Sequence, residues 1–367
     1  MEYRCIPGTD EKISVIGLGS YHSWEQQEEV EEVIEKALAA GINYFDTVMM
    51  SEKDFICYRN ALRNVDRNRY KLQFHFGAVY EKNEYGWTRD VNSIRNEFER
   101  QMNLFGCSYA DVGLVHCIDG EDDYLRVMSN GLWDYMKSLY KDGVIRYLGC
   151  STHNPMILRK FINLEEITIA MFSINMAYDY INLGTYAIGT LEDRYKLYKE
   201  CELAGVGLIA MKPYAGKRLL KKELNSFNDS FTTTQCIQYA LDRPAVLSVV
   251  PGIAGIKQME ATLRYNEASP IEKDYSKLYA LSKDFGTIEG ACVYCNHCMP
   301  CPKGINIGLV NKYYDLAVLG DKLAFDHYKK LYPNAGDCVM CGKCENACPF
   351  NVRQTENMER INKFFSK

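Results

Sequence analysis

Residues 91–116 read VNSIRNEFERQMNLFGCSYADVGLVH, and a change of period inside this stretch decides the fold. Ile94, Phe98, Met102 and Phe105 recur at helical spacing and share one face. Gly106 stands where a helix closes in a left-handed turn. Residues 111–116 are then short, apolar and strand-like. The same unit recurs on both sides. Strand-type runs lie at 14–18, 42–46, 71–76, 111–116, 147–151, 170–175, 207–211 and 246–250, each bounded by Gly, Pro, Asp or Asn. Amphipathic segments separate them. In 27–40, Val30, Val33, Ile34, Ala37 and Leu38 form the apolar face. Gly41, Gly143 and Gly205 repeat the position of Gly106 between helix and strand. Eight strand–helix units over about 250 residues describe a (β/α)8 TIM barrel. The competing α/β arrangement is a doubly wound open sheet. It expects a G-x-G-x-x-G opening a helix after the first strand, and the chain has none there.

The chain has 367 residues, enough for one large and one small domain. It is 47% hydrophobic and 25% charged, as expected of a soluble globular protein. No apolar run approaches a membrane span. A net charge of −5 gives no reason to expect nucleic acid or an anionic membrane as partner. The N-terminal MEYRCIPGTDEK lacks the apolar core of a secretory signal.

The C-terminal part is organised by cysteine. Cys292, Cys295, Cys298 and Cys301 read C-x2-C-x2-C-x2-C-P, and Cys338, Cys341, Cys344 and Cys348 read C-x2-C-x2-C-x3-C-P. This is the ligand spacing of bacterial ferredoxins for [4Fe–4S] clusters. Thiolates are soft donors suited to such iron, and three closely spaced sulfurs reach one cluster. The fourth cysteine, before Pro302 or Pro349, serves the other cluster. The expected sets are Cys292, Cys295, Cys298 with Cys348, and Cys338, Cys341, Cys344 with Cys301. Zinc ribbons use pairs of C-x2-C and fit less well. Seven further cysteines are scattered through hydrophobic segments, as in a reduced cytoplasmic protein. The expected domains are the barrel at 1–265, a linker with a helix at 266–290, and a small α-helical ferredoxin-like domain with two [4Fe–4S] clusters at 291–367.

Motifs at the strand ends resemble one family in order and spacing. FDTV closes the second strand, GLVH the fourth, GCSTHNP the fifth, IAMKPYAG the seventh and VVPG the eighth. Over residues 1–265 the chain resembles the aldo-keto reductases. With its tail it resembles their bacterial branch fused to a ferredoxin-type [4Fe–4S] domain. The resemblance implies carbonyl reduction with NADP(H), a tyrosine as proton donor, and a lysine, an aspartate and a histidine around it. Asp46 and His116 match the last two. The tyrosine position is Ser51, and the lysine position is Gly77. A serine hydroxyl is too weak an acid to stand in for a phenol. Imidazole titrates near neutrality, so His116 is the expected acid, with Asp46 orienting it and His75 supplying positive charge. Loop position also suggests Tyr21, His22, Trp24 and Tyr80 for the pocket mouth. For the nucleotide, the resemblance implies Gly19, Ser20, Ser151, Asn154, Tyr214, Gly216, Leu219, Pro251, Gly252 and Lys257. Met171 stands at a position where relatives carry glutamine, and Gly255 and Thr262 stand where they bind phosphate and adenine.

Three functions follow. The barrel keeps altered reductase chemistry on a small carbonyl or hydroxyl substrate. Alternatively, clusters fed by a ferredoxin or flavodoxin reduce a barrel-bound substrate without nicotinamide. As a third reading, the protein is a non-catalytic binding or electron-transfer protein. Fold resemblance alone does not choose among them.

Overall fold

The computed structural model describes residues 1–20, 26–82, 84–181, 187–224, 227–281, 292, 294, 296–318, 322–348 and 350–366. Tyr21, His22, Trp24 and Cys295 lie outside them. The chain forms two compact units, Met1–Tyr275 and Ser276–Lys367.

In the first unit, β1 (Tyr3–Cys5) and β2 (Lys12–Ser14) make an antiparallel hairpin. The staves follow as β3 (Tyr44–Asp46), β4 (Lys71–Phe76), β7 (Ala110–Val115), β8 (Ile145–Thr152), β9 (Ile167–Ser173), β10 (Gly207–Met211) and β11 (Val246–Val250). Each is parallel to the next. Residues 16–19 close the ring through single bridges, Ile16 to Val249, Leu18 to Phe45 and Gly19 to Gly252. The first expected strand is therefore bridges rather than a continuous ladder. Its glycines explain the close fit: a Cβ on Gly19 would lie 2.8 Å from the Pro251 carbonyl oxygen. Between β4 and β7 the sequence reading missed a second hairpin, β5 (Ala78–Glu81) and β6 (Glu84–Trp87), which pairs Tyr80 with Tyr85.

Strand alternation sorts the barrel's layers. On β4, Phe74 and Phe76 face the helix Val91–Phe105, where Phe98 meets them at ring distances of 5.9 and 4.5 Å. That helix begins at Asp90, whose carboxylate caps Ser93 N, and ends at Gly106 with φ +62°. The intervening Gln73 and His75 point inward. The interior is apolar through most of its height, with Ile6, Ile13, Tyr44, Val112, Leu114, Tyr147, Ile169, Met171, Ile209 and Leu247 in one core. Polar side chains gather at the C-terminal ends of the strands, the functional end of such barrels.

The second unit carries the helices Ile307–Val318, Lys322–Lys329 and Gln354–Phe365. Ile305, Ile307, Val310, Tyr328, Ala335, Met358 and Ile361 form its core, with Cys298, Cys301, Cys338 and Cys344 packed into it. Tyr328 stacks on Phe365 at 3.7 Å. Among the described residues of both units, no helix is long and apolar enough to cross a membrane.

Candidate active site

Four side chains form a chain of hydrogen bonds at the C-terminal end of the barrel. Asp46 ends β3, His75 lies near the end of β4, and His116 follows β7. His75 Nε2 is 2.7 Å from Asp46 Oδ1. His75 Nδ1 is 3.0 Å from His116 Nδ1. His116 Nε2 is 2.6 Å from the Tyr85 hydroxyl, carried by the unforeseen hairpin. Gln73 flanks the chain. Tyr44 donates to Gln73 Oε1 at 2.5 Å, which turns Gln73 Nε2 toward Asp46 Oδ1 at 2.9 Å. Asp46 Oδ1 thus faces both His75 and Gln73.

Burial pushes His116 well below the ordinary histidine range, and His75, Arg89, His153 and Lys212 add repulsion. A lowered pKa favours the neutral ring, placed as a hydrogen-bond link between His75 and Tyr85. Arg89, another residue the sequence reading did not single out, holds its backbone in place. Its Nη2 donates to the His116 carbonyl at 2.8 Å, and its guanidinium forks onto Asp123 at 2.8 and 2.7 Å.

The positions of the absent family residues have other work. Ser51 caps the helix Glu52–Leu62: Asp54 N donates to its Oγ at 3.3 Å, and the Ser51 hydroxyl donates to Asp54 Oδ2 at 2.7 Å. Gly77 has φ +120°, and a Cβ there would lie 2.7 Å from Arg89 Nη1. A lysine at that position would be strained and would collide with the guanidinium. Tyr80 is buried, with its hydroxyl between Met49 N and Met49 O at 2.9 and 3.0 Å.

Beside His116, Cys117, Asp119 and His153 offer donor atoms within 4.8 Å of one another. Burial raises Asp119, but the bonds from His153 and Thr152 outweigh it and leave the carboxyl below its usual range. Burial and Asp119 push the Cys117 thiol up to about 11. Burial lowers Lys212, against the opposing influence of Cys117 and Asp119.

The nucleotide residues implied by resemblance fall around the same end. Ser20 donates to the Asp46 carbonyl at 2.5 Å and so fixes the end of β3. Gly19 N donates to Pro251 O at 3.0 Å. Gly216 and Gly252 have open space where a Cβ would stand. Tyr214 lies beside Thr262 at 3.5 Å, and burial raises its phenol. Leu219 is buried, and Lys257 is exposed in the first turn of the helix Ile256–Leu263. Ser151 is buried, its carbonyl accepting from Ile118 N at 2.9 Å. Asn154 is occupied at both ends of its amide. Oδ1 accepts from Met156 N at 2.9 Å, and Nδ2 donates to Asp119 O at 2.8 Å. The carboxamide implied as a nicotinamide partner is therefore a helix cap in this fold.

In the second unit, Cys301, Cys338, Cys341 and Cys344 line one depression with Ile305, Ile307 and Met358. Cys348 lies within electrostatic reach of Cys292, whose sulfur also meets Gln354 and the Tyr294 backbone. Converging soft thiols among aliphatic carbons fit an iron–sulfur group.

Comparison with known proteins finds a match within each unit. The Aldo/keto reductase family profile matches residues 15–235. A 4Fe-4S binding domain matches residues 331–354. An uncharacterized oxidoreductase, YqkF of Bacillus subtilis (strain 168), is 21% identical over 309 residues, 76% of this chain and 95% of that protein. Among solved structures, the holo form of the aldo-keto reductase AKR11C1 from Bacillus halodurans has a TM-score of 0.63 at 21% identity, covering 77% of this chain and 97% of that one. An aldo-keto reductase enzyme from a Medee basin deep-sea metagenome library has a TM-score of 0.54 at 14% identity, covering 77% and 95%. At these identities the solved structures speak for the fold, while the family profile spans more than half the chain. The chain belongs to the aldo/keto reductase family, as an oxidoreductase with a 4Fe-4S binding domain toward its C-terminal end.

Proposed function

We propose that the barrel interconverts a small carbonyl compound and its alcohol with NADP(H), using an altered catalytic set built on Asp46, His75 and His116. The observation that carries this reading is their unbroken hydrogen-bonded chain at the functional end of the barrel. Proton transfer to or from a reacting oxygen is the part of this chemistry that side chains supply. A bound nicotinamide would supply or accept the hydride. Gly216, Gly252, Tyr214 and Lys257 would hold the nucleotide, with Ser20 and Gly19 shaping the floor beneath it. Leu219, Pro251 and Ser151 complete the wall.

The C-terminal unit holds two [4Fe–4S] clusters in this reading. One takes Cys338, Cys341, Cys344 and Cys301. The other takes Cys292, Cys298, Cys348 and Cys295, the last outside the described residues. Bound clusters would supply one-electron transfer. Seven cysteines outside the two runs form no disulfide, which supports a reducing, cytoplasmic setting. The occupied amide of Asn154 and the methionine at 171 favour a second reading. In it a ferredoxin or flavodoxin feeds the clusters, and the barrel substrate receives their electrons without nicotinamide.

Anaerobic titration of the iron-replete protein with NADPH, followed by absorbance and EPR, separates the two. Saturable binding with unbleached clusters, and NADPH consumption on adding small aldehydes or ketones, is expected. Absence of NADPH binding, with clusters that reduce readily by dithionite, overturns the first reading in favour of the second.

A further inference from the structure

We propose that Tyr85 is the proton-transferring catalytic residue of the barrel, and that His116, His75 and Asp46 form a directional proton path behind it. This deepens the reading above and rests on it for the identity of the reaction. The hairpin Ala78–Trp87 returns a phenol to the neighbourhood that the family tyrosine would occupy. Tyr85 N donates to Met50 O at 3.2 Å, and the cross-strand partner Tyr80 is bonded to Met49. Both anchors directly precede Ser51.

The direction of the path follows from counting protons. Two ring nitrogens in contact need one N–H and one lone pair. Tyr44 orients Gln73 so that its Nε2 donates to Asp46 Oδ1, and His75 Nε2 meets the same oxygen. Gln73 Nε2 also lies 3.2 Å from His75 Nε2, but the shorter contact of that nitrogen, 2.7 Å, is to the carboxylate oxygen, which accepts from both neighbours, so His75 Nε2 carries its proton. Its Nδ1 then accepts from His116 Nδ1–H. His116 Nε2 is left with a lone pair and accepts from the Tyr85 hydroxyl at 2.6 Å. Burial, with Arg89 and Lys212 nearby, lowers the His116 pKa and so favours the neutral ring this pattern requires. A phenol oxygen can accept bonds while it donates one, so donation to His116 leaves Tyr85 Oη the capacity to accept from a substrate hydroxyl.

In the direction of alcohol oxidation the atoms balance as follows. The substrate O–H breaks and its proton bonds to Tyr85 Oη. The phenol proton moves to His116 Nε2, the Nδ1 proton of His116 moves to His75 Nδ1, and the Nε2 proton of His75 moves to Asp46. The substrate C–H leaves as hydride to an oxidised nicotinamide, the co-reactant named above. One proton and one electron pair have then left the alcohol, and carbonyl reduction is the reverse.

The test uses full-length, cluster-loaded protein with 15N-labelled histidine. The wild type is expected to show His116 protonated at Nδ1 and bare at Nε2, and Tyr85→Phe is expected to move the Nε2 resonance. In turnover, Tyr85→Phe is expected to lower kcat by about 10²–10⁴-fold while NADPH affinity stays within about twofold. Wild-type His116 carrying its proton on Nε2, or Tyr85→Phe turnover within about threefold of wild type, overturns the proposal. If the wild type neither binds NADPH nor reduces carbonyls, the reaction assignment fails. The nitrogen resonances then still decide whether Tyr85 donates to His116.

Discussion

The barrel mouth and the cysteine unit solve the problem of buried polar atoms differently. At the mouth, the protein supplies its own partners. Asp46 meets His75 and Gln73, His75 meets His116, and His116 meets Tyr85. Arg89 ties down the backbone under this chain and is itself neutralised by Asp123. In the C-terminal unit, Cys298, Cys301, Cys338 and Cys344 pack among Ile305, Ile307, Val310 and Met358. Sulfur is a weak hydrogen-bond acceptor, so that unit gains little from pairing its donors internally. A site of the first kind is organised by folding, whereas a site of the second kind contributes to folding once metal binds.

The largest effect should come from removing the iron. Stripping it under anaerobic conditions is expected to unfold residues 276–367 while 1–275 remain folded. Limited proteolysis followed by mass spectrometry checks this. Cleavage confined to the second unit supports the comparison, and equal resistance of both units breaks it. A smaller effect tests self-sufficiency within the barrel unit. Asp179 and Arg194 are both fully enclosed, with Arg194 Nε on Asp179 Oδ1 at 2.6 Å and the hydroxyls of Tyr198 and Tyr239 at 2.7 and 2.6 Å. Removing one partner strands a buried charge. Asp179→Ala is therefore expected to cost the first unit about 3–5 kcal/mol in urea unfolding, with iron content unchanged.

The same contrast explains what could be read in the chain. Cluster ligands sit two or three residues apart, so their chemistry is written in local spacing. Staves and helices are also local: KLQFHF at 71–76 shows its inward Gln73 and His75 by alternation alone. Asp46, His75 and His116 could be singled out because each lies at or beside the end of a recognisable strand. Tyr85 could not, because its role depends on a partner 31 positions away and on a hairpin whose two strands are linked in sequence by Lys-Asn rather than by an Asn-Gly or Gly-Gly pair. The two aromatic runs AVYE and EYGW, separated by that dipeptide, were the available signal. Arg89 was hidden for the same reason, since its meaning lies in Asp123 and the His116 carbonyl. Asn154 shows the opposite case. A motif match implies a ligand for it, and the start of a helix, unseen in that match, also engages its amide.

Acid should sharpen the contrast by a smaller amount. His116 faces His75 on β4, Arg89 after the hairpin, His153 after β8 and Lys212 after β10, besides the Tyr85 hydroxyl. Its folded pKa is depressed by burial first and by these neighbours second. The unfolded chain takes up a proton there near pH 6.5, and the folded chain does so only at lower pH. Unfolding therefore binds a proton as pH falls below about 6.5, and stability drops by up to about 1.4 kcal/mol per pH unit. Urea midpoints measured from about pH 7 to pH 5 should show this slope in wild type and lose that part of it in His116→Gln. An unchanged slope would mean that His116 is not held neutral.

The smallest effect distinguishes a vacated catalytic position from a reused one. Ser51 stands at the site of the family tyrosine, yet its oxygen is committed to the first turn of the helix Glu52–Leu62. If that is its whole role, Ser51→Ala costs only a helix cap, about 1 kcal/mol. The loss should appear in the urea midpoint with no change in kcat. The His116 nitrogen resonances should also stay where they are, because Tyr85 supplies the hydroxyl they face. A fall in turnover well beyond the stability loss would place Ser51 in the chemistry. It would also shift the proton path back toward the loop from which the phenol was lost.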